Sequence, residues 1–494
     1  MKKLFAVILA LLLTGCSTSV EVENKTDYKK VETINFDSTT FENYTFPEDF
    51  NIRGYEGITL NFILENTIYA NILSQQSEEF TKFTGININI RPIDYDTVMQ
   101  KISLDLISQT GKYQVIYCDP YRILNRFNND LEDLNTFMSD STLPQLQTDL
   151  DDFFQEHYIV CSKFEDNSAI YSIPFDSTTI IFYYRQDIFE EYGDEFYKDM
   201  GYDWTPGTKE FTWDRYVEVS RWIDENVPDD VVAYGSGQMA KNHNSIMCEF
   251  SNVLASNGGD YFLDDKVNTY GIVDFSSPAM LTDSFIKSLQ LYKDMVKVAA
   301  PESLNWYWAD SVEAFSNGKI AMMANWDENY SSIKNNAIPK VSDNVRTSIL
   351  PYGDSRSANI YGGTGIGINK YASQEEKEAA WFFITWATNK SMQLEVLKHN
   401  EGGGMPTIRS AYEDEEIRQY LNGEDIEVPY SHMKAVLAAW EPENVYLRPK
   451  IGNAYEVEMV INNNLWDMIN QDLDPEYVAR KMYSEIMALK EWDD

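Results

Sequence analysis

The apolar positions from residue 57 onward change period in a regular order. Residues 57–64, GITLNFIL, form a short apolar run suited to a buried strand. Ile68, Ile72, Leu73, Gln76, Phe80 and Phe83 then follow helical spacing, and Gly85 ends that helix. Ile86, Ile88 and Ile90 alternate with asparagines, a strand pattern that stops before Pro92. Val98, Ile102, Leu106 and Ile107 mark a second helix closed by Gly111, and residues 113–119, YQVIYCD, read as a third strand. Strand, helix, strand, helix, strand is the order of a parallel sheet with crossover helices. Ligands of such sheets gather beyond the carboxyl ends of the strands. Those ends carry Glu65, Asn66 and Tyr69 after the first strand, and Asp119 and Tyr121 after the third. No GxGxxG follows the first strand, so a dinucleotide or phosphate cradle is not expected.

A second unit opens at residues 169–189, where two apolar runs flank the polar break PFDSTT. Thr212 is placed to cap the helix of FTWDRYVEVSRWI, and residues 284–298 read as an amphipathic helix. Residues 17–55 lack sustained periodicity and are rich in Ser, Thr, Asn and acids, the pattern of a flexible tether on which FENYTF is an aromatic docking candidate. Before it, Lys2 and Lys3 precede ten apolar residues, 4–13, too few to span a bilayer and right for a secretory leader. Leu12-Leu13-Thr14-Gly15-Cys16 resembles the bacterial lipobox, which implies cleavage after residue 15 and a lipid on the Cys16 sulfur. An ordinary leader with a stray cysteine is the alternative.

A chain of 494 residues suits two or three domains. Its net charge of −39 repels nucleic acid and disfavours anionic solutes at long range. Beyond Cys16, Cys118, Cys161 and Cys248 are too few and too far apart for a disulfide framework, and they read as buried thiols. No cysteine or histidine spacing suggests a metal, and no cofactor is expected. The 32 Tyr and 11 Trp supply flat faces with polar edges, useful against sugars and equally at home in a core.

Several blocks, in order, resemble one family, the extracellular solute-binding proteins of bacterial carbohydrate ABC importers, of the maltose-binding-protein type. They are EEFTKFTGININI (78–90), YSIPFDSTTIIFYYRQDIFEEYG (171–193), FTWDRY (211–216), AFSNGKIAMMANW (314–326), NIYGGTGIGINKYASQEEKEAAWFFITWAT (359–388) and GGGMPTIRSAY (402–412). The resemblance implies an α/β, two-lobed fold, each lobe a mainly parallel sheet flanked by helices, with three hinge crossings. It divides the chain into a leader (1–15), an acidic tether (16–56), a first lobe (57–173 with 362–402) and a second lobe (174–361 with 403–494). It implies a non-enzymatic monomer, held on the outer face of the cell membrane by its lipid. Such a protein captures an oligosaccharide or similar polyhydroxylated solute between the lobes and hands it to a transmembrane permease. A secreted glycoside hydrolase, a non-transport surface lipoprotein and a binder of non-sugar solutes are the competing readings.

The same resemblance nominates the site. Trp326, just past an apolar strand, is expected to expose an indole for stacking on a sugar, with a core position as the alternative; Asp327 is placed to cap the following helix. Trp306 and Trp308 share a face if LNWYWAD is extended. Asp119 and Asp176 follow apolar strands, where a carboxylate accepts hydroxyl hydrogen bonds or merely caps a helix. Gly362 and Gly363 read as hinge or contact; Gly258, Gly259 and Asp260 come from a loop matched to the second lobe's cleft; Tyr121, Asn66, Tyr69 and Tyr455 complete the set.

Overall fold

The computed structural model of the chain describes residues 21–25, 28–32, 40–165, 168–274, 277–424 and 428–490. The leader and Cys16 lie outside the described residues. Local chemistry places the first elements where the periodicity puts them. Thr67 accepts the Ala70 N–H at 3.2 Å and starts the helix Ile68–Thr84; Gly85, at φ 78°, ends it by donating its N–H to the Thr81 carbonyl. The strand Asn87–Ile93 runs through Pro92 rather than stopping before it. It is an edge strand, where a missing N–H costs little.

Two sheets organise two lobes. The first-lobe sheet has the order Asn87–Ile93, Thr59–Glu65, Val115–Cys118, Thr364–Ile368, Ser172–Asp176. Its first three strands pair in parallel, and the returning strand Thr364–Ile368 is antiparallel to both neighbours. The second-lobe sheet has the order Val345–Ser348, Ile180–Arg185, Ile320–Trp326, Tyr234–Ser236. Only its last pair is parallel, so the expectation of a mainly parallel sheet fails in this lobe. Both antiparallel pairs involve Ile180–Arg185, the strand that enters from the first lobe by the three-residue link Ser177–Thr179.

Each lobe has its own core. Phe62, Ile116, Ile173, Ile366, Phe382 and Trp386 belong to the first, and Phe182, Phe250, Tyr292, Met322 and Leu465 to the second. The helices Ala454–Asn470 and Pro475–Lys490 close the second lobe through Ile461, Met468, Val478 and Met482. Three boundaries move. The segment expected to be loose to residue 56 is not: Glu21–Lys25 and Tyr28–Glu32 pair in a small antiparallel sheet with Thr45–Pro47, and Phe41, Tyr44 and Phe46 are buried among Phe80, Phe382 and Trp386. The strand Ser172–Asp176 keeps the chain in the first lobe to residue 176. The return to the second lobe comes after residue 411, because Ile408 and Ala411 still pack in the first core and Phe153 bridges Ile408.

Among the described residues, Cys118, Cys161 and Cys248 are free and buried. No helix among them is long and apolar enough to cross a membrane, and no group of metal-ligating side chains occurs.

Candidate functional site

The carboxyl ends of the first-lobe strands meet the second lobe along a seam. Asp94 follows the second strand and caps the helix Tyr95–Ser108 by accepting the Thr97 N–H at 3.2 Å, so Tyr95 sits at the very start of that helix. The Tyr95 hydroxyl donates to Asp119 Oδ2 at 3.1 Å. Asp119 Oδ1 accepts the N–H groups of Tyr121 and Arg122, both at 2.8 Å, and so caps the turn Pro120–Leu124. This fixes Arg122, which crosses the seam to Glu458 of the helix Ala454–Asn470: Nη2 to Oε1 at 2.7 Å and Nε to Oε2 at 3.0 Å. The guanidinium also stands 4.5 Å from the Tyr455 ring centre and 5.9 Å from that of Tyr95. From the second lobe, Trp308 meets Tyr95 edge to face at 6.0 Å and His243 at 4.6 Å. His243 Nε2 faces Asp96 at 3.5 Å, a contact that holds the Asp96 carboxyl below its usual range.

Behind these rings lies a set of carboxylates. Asp176 accepts the Thr364 N–H and the Tyr117 hydroxyl, both at 3.1 Å. Asp327 Oδ1 accepts the Thr179 N–H at 2.6 Å and the Thr178 hydroxyl at 3.2 Å. Burial pushes Asp176 and Asp327 each up to about 7. Half-buried Glu65, from the end of the first strand, and Glu328, from the second lobe, are raised by burial as well. Their neighbours add to this: Asp176 and Asp119 act on Glu65, and Glu65 and Asp176 on Glu328. A carboxyl group poised near neutrality accepts or donates a hydrogen bond, and a hydroxyl does both.

The seam brings together Asp119, Trp308 and Tyr455 of the expected residues; Asp176 and Asp327 stand behind them, and Asn66 is exposed beside Glu65 at the same strand end. Other expectations change. Trp326 is 8% exposed rather than open to solvent. Its indole packs on Gly362, where an added Cβ would come within 2.5 Å of the ring. Asp327 does not cap the next helix, because its carboxylate is taken by Thr178 and Thr179. Trp306 and Trp308 do not share a face. A helix starts at Trp308, leaving Trp306 with the cluster under Lys319 while Trp308 turns to the seam. Tyr69 is buried, with its hydroxyl donating to the Met405 carbonyl at 3.1 Å. Gly363 packs against Tyr361 and the Asp176 backbone. Gly258, Gly259 and Asp260 line a separate cavity of about 350 Å³, where Asp260 accepts from Tyr446 and Asn268. Tyr121 lies under the Arg448 guanidinium at 4.2 Å.

Sequence reasoning passed over Tyr95, Arg122, His243, Glu328 and Glu458. The rule that singled out the ends of the first and third strands, applied to the second, reaches Asp94 and Tyr95 directly. Arg122 follows the Asp119 cap by one turn. His243, Glu328 and Glu458 carry no local signal, because they are defined by the meeting of the two lobes.

The chain belongs to the bacterial extracellular solute-binding proteins, whose family pattern matches residues 65–394. A probable amino-acid ABC transporter periplasmic-binding protein of Sinorhizobium fredii is 22% identical over 439 residues, 88% of this chain and 90% of that one. The maltose-bound MalE3 of T. maritima superimposes with a TM-score of 0.70 at 23% identity, covering 87% of this chain and 99% of that one. A solute-binding protein of Agrobacterium radiobacter in complex with ribitol gives 0.72 at 21% identity, with 88% and 99% covered. At these identities the structural likeness establishes the two-lobed fold.

Proposed function

We propose that the protein is the solute-capturing component of an ABC importer and that it takes a neutral polyhydroxylated solute, a sugar, oligosaccharide or polyol, between its lobes. One observation carries the reading. Aromatic rings and carboxyl groups raised above their usual range by burial face the same seam from both lobes: Tyr95 and Glu65 from one side, Trp308, Tyr455 and Glu328 from the other. Rings hold the apolar faces of a sugar and carboxyl groups its hydroxyls. Maltose and ribitol in the two fold neighbours are consistent with that chemistry. The Sinorhizobium relative's name favours an amino acid instead. Among the described residues the seam offers an α-carboxylate no free cation, because Arg122 is already committed to Glu458.

The protein works as a monomer tethered at the outer membrane face through lipidated Cys16, which keeps it beside its permease. No bond is made or broken. The pair once available to a hydrolase reading, Asp119 and Asp176, has all four oxygens engaged by Tyr95, Tyr121, Arg122, Tyr117 and Thr364. A thermal-shift screen over sugars, polyols and amino acids tests the proposal, since a ligand of the native state raises its melting point. A stabilising sugar or polyol supports it; stabilisation by amino acids alone refutes it.

A further inference from the structure

A cavity of about 510 Å³ is bordered by the Arg122–Glu458 bridge and walled by both lobes. Its first-lobe wall is the helix Tyr95–Ser108, and its second-lobe wall the start of the helix Asn244–Ser256 together with Ala454–Asn470. The volume is in the range of small-molecule sites. Its rim is apolar to an unusual degree. Leu104 and Ile107 are 65% and 64% exposed, and Tyr455 and Met459 42% and 39%. These are four of the nine large apolar side chains that stand open among the described residues, and all four line this one cavity. Such clustering marks a binding surface, whereas scattered exposed residues do not.

The floor is polar and its charges are answered within the protein. Arg122 is held by Glu458, Arg126 faces Glu456 at 3.8 Å, and Asp96 faces His243 at 3.5 Å. Because each charge already has a partner in the protein, the floor favours a neutral ligand. One acceptor is left over. Asn462 is 2% exposed and lines the cavity; its amide donates to Glu458 Oε1 at 3.2 Å, while its Oδ1 has no partner. A buried acceptor without a donor is costly, and a ligand that supplies one removes the cost.

We infer that this cavity is a binding site for a neutral, amphipathic small molecule: an aryl or short alkyl body against Leu104, Ile107, Tyr455 and Met459, and one hydrogen-bond donor toward Asn462 Oδ1. On the reading of the seam as a solute site, it accommodates an apolar substituent of the captured solute, such as the aglycone of a glycoside. The cavity is complete only when the lobes are together, so occupancy favours the closed form.

The test uses N-phenyl-1-naphthylamine, a neutral fluorescent probe with two apolar ring systems and one N–H. Titration of the wild-type protein is expected to give a saturable rise in emission. Leu104→Lys and Met459→Lys, both surface substitutions on opposite lobes, are each expected to weaken binding at least tenfold with melting points unchanged. Absence of saturable binding to the wild type overturns the inference, as does binding that both variants leave intact. Failure of the sugar and polyol screen with probe binding retained would refute the solute reading and leave the cavity standing; the reverse result would refute the cavity alone.

Discussion

Arg122 is one of several residues through which the first lobe grips the second, beside Asn125 on the Ile451 carbonyl and Lys450 on that of Val160, and replacing it tests how the seam is held. In Arg122→Met the side chain keeps its bulk and loses both hydrogen bonds to Glu458, at 2.7 and 3.0 Å. The two side chains are 11% and 8% exposed, so with the lobes together Glu458 would be left buried without a cation, holding only the Asn462 amide. Stranding a buried charge costs about 3–5 kcal/mol, and losing the guanidinium from the Tyr455 ring adds about 0.5–2 kcal/mol. The two main cores are separate, so parting at the seam, which also breaks the smaller shared cluster of Tyr121, Val160, Tyr361 and Val445, relieves this cost without unfolding either lobe. A change of about 4 kcal/mol shifts an open-to-closed ratio roughly a thousandfold. Small-angle X-ray scattering of the ligand-free protein reads this out. The wild type is expected to keep the lobes together as the Arg122–Glu458 and Tyr95–Trp308 contacts have them, and Arg122→Met to show a larger radius of gyration with little loss of melting temperature. Arg122→Met with Glu458→Met is expected to close again, because an apolar pair replaces a buried ion pair at little cost. Identical scattering from wild type and Arg122→Met would refute the reasoning, as would a wild type already open.

Three further outcomes are expected. Asp176 has a folded pKa raised from 3.8 to about 7, so the folded state binds a proton the unfolded chain does not between those values, and stability falls as pH rises through that window. Asp176→Asn, able to accept the Thr364 N–H and donate to Tyr117, should flatten that dependence by about 3 kcal/mol between pH 4.5 and 7.5, checked by urea unfolding at those two values. Phe41→Ala should lower stability by about 3–5 kcal/mol in the same assay, since the ring lies 4.5 Å from Phe83 and 6.0 Å from Trp386; no change would mean that residues 40–50 are not part of the core. Gly362→Ala places a methyl 2.5 Å from the Trp326 indole and should cost about 1–3 kcal/mol, read as a lowered melting temperature.

The periodicity of residues 57–119 was a faithful guide because each element there buries its own apolar face, and local caps such as Thr67 and Gly85 set its ends. Thr212 likewise caps its helix, accepting the Arg215 N–H at 3.2 Å. What the sequence hid was set by distant partners. The aromatic segment at 41–46 carries no period of its own and is ordered by Phe382 and Trp386, more than three hundred residues away. Trp326 was placed correctly at a strand end, but its exposure depended on Gly362, which lets the next crossing lie flat on the indole. Asp119 caps a turn, one of the two readings offered for it, and also accepts the Tyr95 hydroxyl at the seam. The ion pair of Arg122 and Glu458 joins residues 336 positions apart, and no spacing rule reaches that far.

The central claim is that rings and carboxyl groups on the two lobes grip one polyhydroxylated solute together. Isothermal titration of the stabilising sugar or polyol into wild type, Trp308→Ala, Tyr455→Ala and Glu65→Gln tests it most directly. The account predicts one site per chain in the wild type and at least tenfold weaker binding in each variant, whichever lobe the change lies on. Undiminished affinity in all three variants would contradict it.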